Sequence, residues 1–176
     1  SVLYSNTKGC HNTAIGGYRA LCGNTSGACN VAVGTYASTN NTTGSYNTAL
    51  GFSTLNSNTT GQYNAAVGQN ALYSSTTGSY NSAIGKGAGD KLADGSTAST
   101  VPSNSTYIGA CTRGSTVGDT NVTVIGYCAC ACGDNTVSIG NGSVTATHIA
   151  GTVCASNICG TTSVCAPTVC GTTSVN

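Results

Sequence analysis

The chain of 176 residues contains no methionine, tryptophan or glutamate, one phenylalanine, two prolines and nine charged side chains, five Lys or Arg and four Asp. So little charge excludes a helical bundle, which is built from leucine, glutamate, lysine and alanine. A net charge of +1 supplies no basic surface, so we expect no nucleic-acid partner. No apolar run approaches the roughly 20 residues of a membrane span, and we expect none in this chain.

The residues that catalysis requires are also scarce. The two histidines, His11 and His148, are far apart in sequence, and the four aspartates form no pair at a readable spacing. No glycine-rich loop with the pattern of a phosphate-binding site is present. The sequence therefore predicts a protein that is not an enzyme and needs no cofactor and no metal.

Glycine, serine, threonine and asparagine fill the chain instead, and they are arranged in a repeat. Segments that end in Ala-aliphatic-Gly close at Gly16, Gly34, Gly51, Gly68 and Gly85, so their positions advance in steps of 18, 17, 17 and 17. Weaker copies close at Gly109, Gly126 and Gly140, in steps of 24, 17 and 14. A unit of this length suits two short strands and two turns, which make one coil of a β-solenoid. The predicted fold class is all-β, with parallel strands.

Within a coil the side chains alternate, so Tyr46, Thr48 and Leu50 should share one face and smaller residues the other. The Thr-Thr-Gly before each strand is predicted to be a turn, because glycine accepts positive φ. Stacked coils would place equivalent residues about 4.8 Å apart in ladders. Three ladders are predicted: a surface ladder of Tyr46, Tyr63 and Tyr80, one of Asn47, Asn64 and Asn81, and one of Thr43, Thr60 and Thr77.

These repeats, of which TTGSYNTALGFSTL (residues 42–55) is typical, resemble the head repeats of trimeric autotransporter adhesins and similar repeats of phage and virus tail-fibre proteins. The resemblance is clear over about residues 6–90 and loose over 104–150. It implies a left-handed parallel β-roll in which three identical chains intertwine around one axis. The eleven cysteines depart from it, because adhesin heads are typically free of cysteine.

The changes of repeat length predict four regions. Regular repeats occupy 1–90, an inserted loop 91–106, degenerate repeats 107–150, and a cysteine-rich 11-residue repeat, VCxxxxCGTTS, occupies 151–176. The last resembles the extended β shaft of trimeric viral fibres. The charged residues around the insertion form either a solvated connector or a recognition loop for a receptor: Lys86, Asp90, Lys91 and Asp94.

The cysteines allow three interpretations. They form disulfides within or between chains in an extracellular fibre, or pack as small buried apolar residues, or bind a soft metal around a three-fold axis. Cys29 and His11 occupy the position of the ladder tyrosines, and a strand through Cys128, Cys130 and Cys132 would put their thiols on one face. The candidate disulfide or interchain thiols are Cys10, Cys22, Cys29, Cys111, Cys128, Cys130, Cys132, Cys154, Cys159, Cys165 and Cys170.

Three functions remain open from the sequence. The leading one is a structural and adhesive extracellular fibre module on a cell or virion surface, a homotrimer that binds surface glycans or receptors through many weak contacts. The second is a self-assembling filament or sheath subunit locked by disulfides, favoured by the low charge and the open-ended repeat. The third is an ice-binding solenoid, for which threonine ladders would supply the surface.

Overall fold

The computed structural model describes residues 1–145 and 147, so the predicted shaft at 151–176, His148 and the last four cysteines lie outside the described residues. The described chain is an all-β solenoid, as predicted. Within it no helix is long and apolar enough to cross a membrane. Eight three-residue strands form one parallel sheet in chain order: β1 (Thr13–Ile15), β2 (Val31–Val33), β3 (Thr48–Leu50), β4 (Ala65–Val67), β5 (Ser82–Ile84), β6 (Thr106–Ile108), β7 (Thr123–Ile125) and β8 (Val137–Ile139).

The pairing register follows the glycine spacing of the sequence. The residue numbers of strand partners differ by 18, 17, 17, 17, 24, 17 and 14, which are the steps predicted from the glycine after each strand. That glycine cannot be replaced cheaply: Gly51 has φ 135°, and a Cβ there would lie 2.8 Å from the carbonyl oxygen of Gly68 in the next coil. Each coil is therefore held in register where two backbones approach closely.

The interior of the solenoid is narrow. The middle residue of each regular strand points inward, and Ala32, Ala49, Ala66 and Ala83 are fully buried. From the opposite side Leu55 and Leu72 fill the remaining space. The first and third residues of each strand point outward, which confirms the predicted alternation.

In β6 the large and the small residue of the core exchange sides. Tyr107 replaces alanine in β6 and is fully buried, while Gly89 takes the position of the leucine. A Cβ on Gly89 would lie 2.8 Å from the Tyr107 ring. The larger side chain is therefore accommodated by the smaller residue, which keeps the interior close-packed.

One column of buried asparagines is the predicted ladder. The Nδ2 groups of Asn64 and Asn81 donate to Oδ1 of the asparagine one coil earlier, at 3.1 and 3.0 Å. The same oxygens accept the backbone N–H of the following coil, as from Asn64 to Asn47 at 3.0 Å. An amide stacks in this way because it both donates and accepts hydrogen bonds.

A second amide column was not predicted. Asn41 Nδ2 donates to Asn24 Oδ1 at 2.8 Å, and Asn58 Nδ2 donates to Asn41 Oδ1 at 2.7 Å. The column ends where Ser75 replaces asparagine, and there both Asn58 Oδ1 and Ser75 Oγ are buried without a hydrogen-bond partner. Together the two columns satisfy polar groups in an interior too narrow to exclude them.

The prediction that glycine adopts positive φ in the Thr-Thr-Gly turns is wrong. Gly44 and its equivalents do not have positive φ; the residue with left-handed backbone is the tyrosine two positions later, such as Tyr46 with φ 59°. Gly44 is needed for space instead, because a Cβ there would overlap the carbonyl oxygen of Gly61 and Oδ1 of Asn41.

The longest step, between β5 and β6, accommodates a small hairpin. Lys91 pairs antiparallel with Ala98, and the backbone N–H of Leu92 donates to the carbonyl of Thr97 at 2.8 Å. The chain then rejoins the stack of coils, where Thr100 accepts the N–H of Thr76. The second half of the predicted loop range 91–106 thus follows the ordinary path of a coil.

Candidate functional site

The tyrosine ladder, Tyr46, Tyr63 and Tyr80, lies on the surface. Ring centroids are 4.8 and 4.9 Å apart, with interplanar angles of 1° and 10°. Exposures are 52%, 45% and 58%, and among the described residues no hydrogen bond occupies the three hydroxyls. The ladder therefore presents aromatic edges and hydroxyl groups at the spacing of the coils.

The backbone explains why these rings line up. Each tyrosine has φ between 57° and 61°, an uncommon conformation for a bulky residue. Its N–H donates to the carbonyl of the preceding coil, for example from Tyr63 to Ser45 at 3.1 Å. His11 and Cys29 share this left-handed conformation, both with φ 57°, so they do occupy the tyrosine position. Asn104 continues the column on the other side with φ 52°.

A second surface feature is the aliphatic strip, formed by the third residue of every strand. It runs across eight strands spaced about 4.8 Å apart, so it is about 35 Å long. Six of its side chains are exposed by 36% to 60%, among them Ile84 at 51%. Neither the first nor the third strand positions contain a charged residue. The strip is Ile15, Val33, Leu50, Val67, Ile84, Ile108, Ile125 and Ile139.

A third feature is a shallow pocket away from the strands, formed by the segments that follow β1, β2, β3 and β4. Its volume is about 300 Å³. Neighbouring rings Tyr18–Tyr36 and Tyr36–Phe52 meet edge to face, with centroids 5.3 and 5.9 Å apart. The pocket combines aromatic walls, amides and one cation. It is lined by Arg19, Tyr36, Thr39, Asn40, Phe52, Ser53, Asn56 and Tyr73.

The four charged residues of the predicted recognition loop lie in different surroundings. Asp90 is buried and accepts hydrogen bonds from the backbone and hydroxyl of Ser74, while its other oxygen lies 3.4 Å from Lys91 Nζ. Lys86 is exposed on an ordinary coil, and Asp94 is exposed at the hairpin tip. The Thr97 hydroxyl, and then the backbone N–H groups of the turn, lower the pKa of Asp94 to about 2.

The seven described cysteines all carry free thiols, and Cys10 and Cys132 are the exposed ones. Cys111 and Cys128 occupy the same position on adjacent coils, with φ 56° and 52°. Buried alanine alternates with more exposed cysteine at Cys128, Cys130 and Cys132, although the segment is not a regular strand, because Cys128 has left-handed backbone. Disulfide formation stays a prediction.

The predicted threonine ladder is exposed over three coils, at Thr43, Thr60 and Thr77. The neighbouring threonine of each pair is half-buried and uses its hydroxyl internally, as Thr42 Oγ1 does in donating to the Thr59 carbonyl at 2.9 Å. The exposed threonines thus form a single row beside the glycine turns. Ice binding stays a prediction that these contacts do not strengthen.

Within the described residues no three His, Cys, Asp or Glu side chains come together in a way that could hold a metal ion. The sequence reasoning missed the pocket beside Arg19. A signal was present, because Arg19 and Tyr36 lie one repeat apart, as do Asn56 and Tyr73. This spacing is hard to notice because the residue type changes from one coil to the next at these positions, whereas the strand motif is constant.

Comparison with known proteins identifies no relative. No family model, no curated protein and no solved structure matches this chain. The likeness of the repeats to adhesin heads and tail fibres therefore stays a prediction, and the surfaces described above are the basis for proposing a function.

Proposed function

We propose that this chain is a structural, adhesive module of an extracellular fibre on a cell or virion surface. Copies associate as a homotrimer, and the repeated outer faces bind surface glycans or receptors through many weak contacts. The observation that carries the proposal is the aliphatic strip. Large contiguous apolar surfaces on soluble proteins mark sites of interaction.

A second copy of the same chain is the occupant that fits the strip best. Its strands repeat with the same spacing, so side chains of two copies match coil by coil along about 35 Å. Neither copy brings a charge to the contact, so no ion is buried by it. The number three comes from the resemblance of the repeats to trimeric heads. The tyrosine ladder lies outside the strip and supplies aromatic surface for sugar rings on each of three chains.

The native mass of the full chain in solution, measured without reductant, tests the proposal. We expect a discrete species near three times 17.2 kDa. Ile84→Asp places a carboxylate in the middle of the strip and should convert the trimer to monomers. Thr60→Asp introduces the same charge on an exposed turn and should leave the mass unchanged. A native chain that is already monomeric contradicts the trimer.

Long polymers would favour the filament alternative, which has an observation of its own. Residues 1–89 carry three cations and no acid, whereas residues 90–176 carry two cations and four acids, a split of +3 against −2. Opposite net charge on the two halves of the chain favours head-to-tail contact. A filament of this kind should shorten as salt is raised, and disulfide locking would make it sensitive to reductant as well.

A further inference from the structure

The pocket beside Arg19 contains a cation that the described chain does not neutralise. The ion pair found among the described residues joins Lys91 to Asp90, and Arg19 takes no part in it. The first 89 residues contain no aspartate or glutamate, so no carboxylate from the surrounding coils approaches the guanidinium. A planar guanidinium without a partner pairs readily with a carboxylate through two parallel hydrogen bonds.

The amides of the pocket have hydrogen-bonding groups to spare. Asn56 Nδ2 donates to the Tyr36 carbonyl at 3.0 Å, which fixes the amide and leaves Oδ1 as an acceptor. The Asn40 side chain is exposed and makes no hydrogen bond within the described residues. Together they offer both acceptors and donors, which is what a ligand rich in hydroxyl groups requires.

The walls supply apolar surface. The Phe52 ring is 49% exposed and is held by an edge-to-face contact with Tyr36, and Tyr73 on the next coil is 37% exposed. Exposed aromatic faces suit the C–H faces of sugar rings. A volume of about 300 Å³ lies at the lower end of small-molecule sites, which fits one or two sugar units rather than a long segment.

We propose that this pocket binds a carboxylate-bearing sugar residue of a surface polysaccharide. Arg19 holds the carboxylate, Asn40 and Asn56 bind hydroxyl groups, and Phe52 and Tyr73 pack against the ring. The inference deepens the proposed surface-binding function and rests on it, but it does not depend on the trimer, because one chain supplies the entire pocket.

The test compares the affinities of acidic and neutral sugars for the full chain. Oligogalacturonate and a glucuronate-containing hyaluronan tetrasaccharide are the acidic probes, and methyl-esterified oligogalacturonate is the neutral one. Calorimetric titration gives Kd, and saturation-transfer NMR identifies the sugar protons near aromatic rings. We expect at least one acidic probe to bind at least ten times more tightly than the ester, with a preference that weakens as salt is raised.

Matched variants locate the site. Arg19→Gln should weaken the acidic probe about tenfold and leave the ester unchanged, whereas Phe52→Ala should weaken both. Lys8→Gln removes the same charge from another exposed position, and Tyr4→Ala removes a ring that is 79% exposed elsewhere; neither should alter binding. Circular dichroism confirms that each variant keeps its fold.

Failure of both acidic probes to bind, equal affinity for acid and ester, or unchanged affinity in Arg19→Gln would each overturn the proposal. The Ile84→Asp variant separates this result from the trimer. If the pocket proposal is right, the variant keeps the Kd per chain for a short probe whether or not its mass falls. If the native mass shows a monomer while the acidic probe binds as expected, the trimer fails and the pocket stands.

Discussion

The regular coils up to Ile84 and the irregular coils after it satisfy their polar groups in different ways. The regular coils stack asparagine amides, which donate to a neighbouring coil, as Asn41 does to Asn24 and Asn47 does to the Gly61 carbonyl. The irregular coils use aspartate: Asp119 is fully buried and accepts from the backbone and hydroxyl of both Ser115 and Thr116. An amide donates and accepts, so it can be repeated in every coil, whereas a carboxylate only accepts and would repel its own kind.

The same boundary separates coils of constant length from coils of variable length. An amide ladder requires the same residue at the same place in each coil, and the step is constant at 17 residues from β2 to β5. The carboxylate of Asp119 completes its own turn and needs no equivalent in the coils above or below. The longest step, before β6, and the shortest step, before β8, both occur in the part of the chain that has aspartate. The regular half repeats its amides from coil to coil. The other half uses carboxylates within a turn, as at Asp119, and between coils, as where Asp134 accepts the N–H of Thr120.

The largest effect on stability should come from replacing an amide with a carboxylate in the regular half. Asn64→Asp removes an Nδ2 group that donates to Asn47 and Gly78, and puts a carboxylate against their oxygens at a buried site. We expect a loss of about 3–5 kcal/mol in the free energy of unfolding at neutral pH, measured with urea. Asn121→Asp makes the same change at an exposed position and should cost less than about 0.5 kcal/mol. Equal losses would show that the amide column is not what holds the coils.

The next effect comes from removing a carboxylate in the irregular half. Asp119→Ala leaves the backbone N–H groups of Ser115 and Thr116 without their acceptor, which should cost about 2 kcal/mol. Asp94→Ala removes a similar turn acceptor at an exposed tip, and the hairpin should change locally without a change in global stability. Urea unfolding measures the first variant, and hydrogen exchange of the hairpin amides measures the second. A stable Asp119→Ala protein would contradict the role given to the carboxylate.

The smallest effect would extend the amide ladder across the boundary. Ser75→Asn should place a donor against the unpaired Oδ1 of Asn58 and raise stability by about 1 kcal/mol. The matched control is Asn58→Ser, in which that oxygen is missing. The gain from Ser75→Asn should disappear in the Asn58→Ser background, and a double-mutant cycle measures this directly. A gain that persists would come from some contact other than the amide bond.

Strand positions were predictable because close backbone approach leaves no choice of residue. The glycine after each strand, as at Gly51, faces the next coil's carbonyl, so the requirement is written into the sequence at every turn. The left-handed tyrosines were not predictable from the same rule. Gly44 stands nearby and is the residue expected to adopt positive φ, yet it is used for its small size.

The surface was harder to predict than the register. Asp90 belongs to a cluster of charged residues and looked like part of an exposed loop, but Ser74 in the preceding coil binds it as a buried acceptor. The pocket beside Arg19 forms where columns of different residue types lie side by side. The repeat spacing places residues in a column but does not show which columns are neighbours. Periodicity predicts which residues share a column, whereas the contacts between columns are known only from the three-dimensional structure.

The stacking of coils also has a mechanical meaning. One regular coil advances the stack by about 4.8 Å, but the same stretch of chain drawn straight spans about 56 Å. Tension on a chain end peels the end coil away first, because that coil is hydrogen-bonded to a neighbour on one side only. Each rupture therefore releases about 50 Å of chain, the difference between those two lengths, while the remaining coils keep their structure. A stack of this kind lengthens in steps under load, and the bonds broken at one end absorb work while the rest of the stack stays folded.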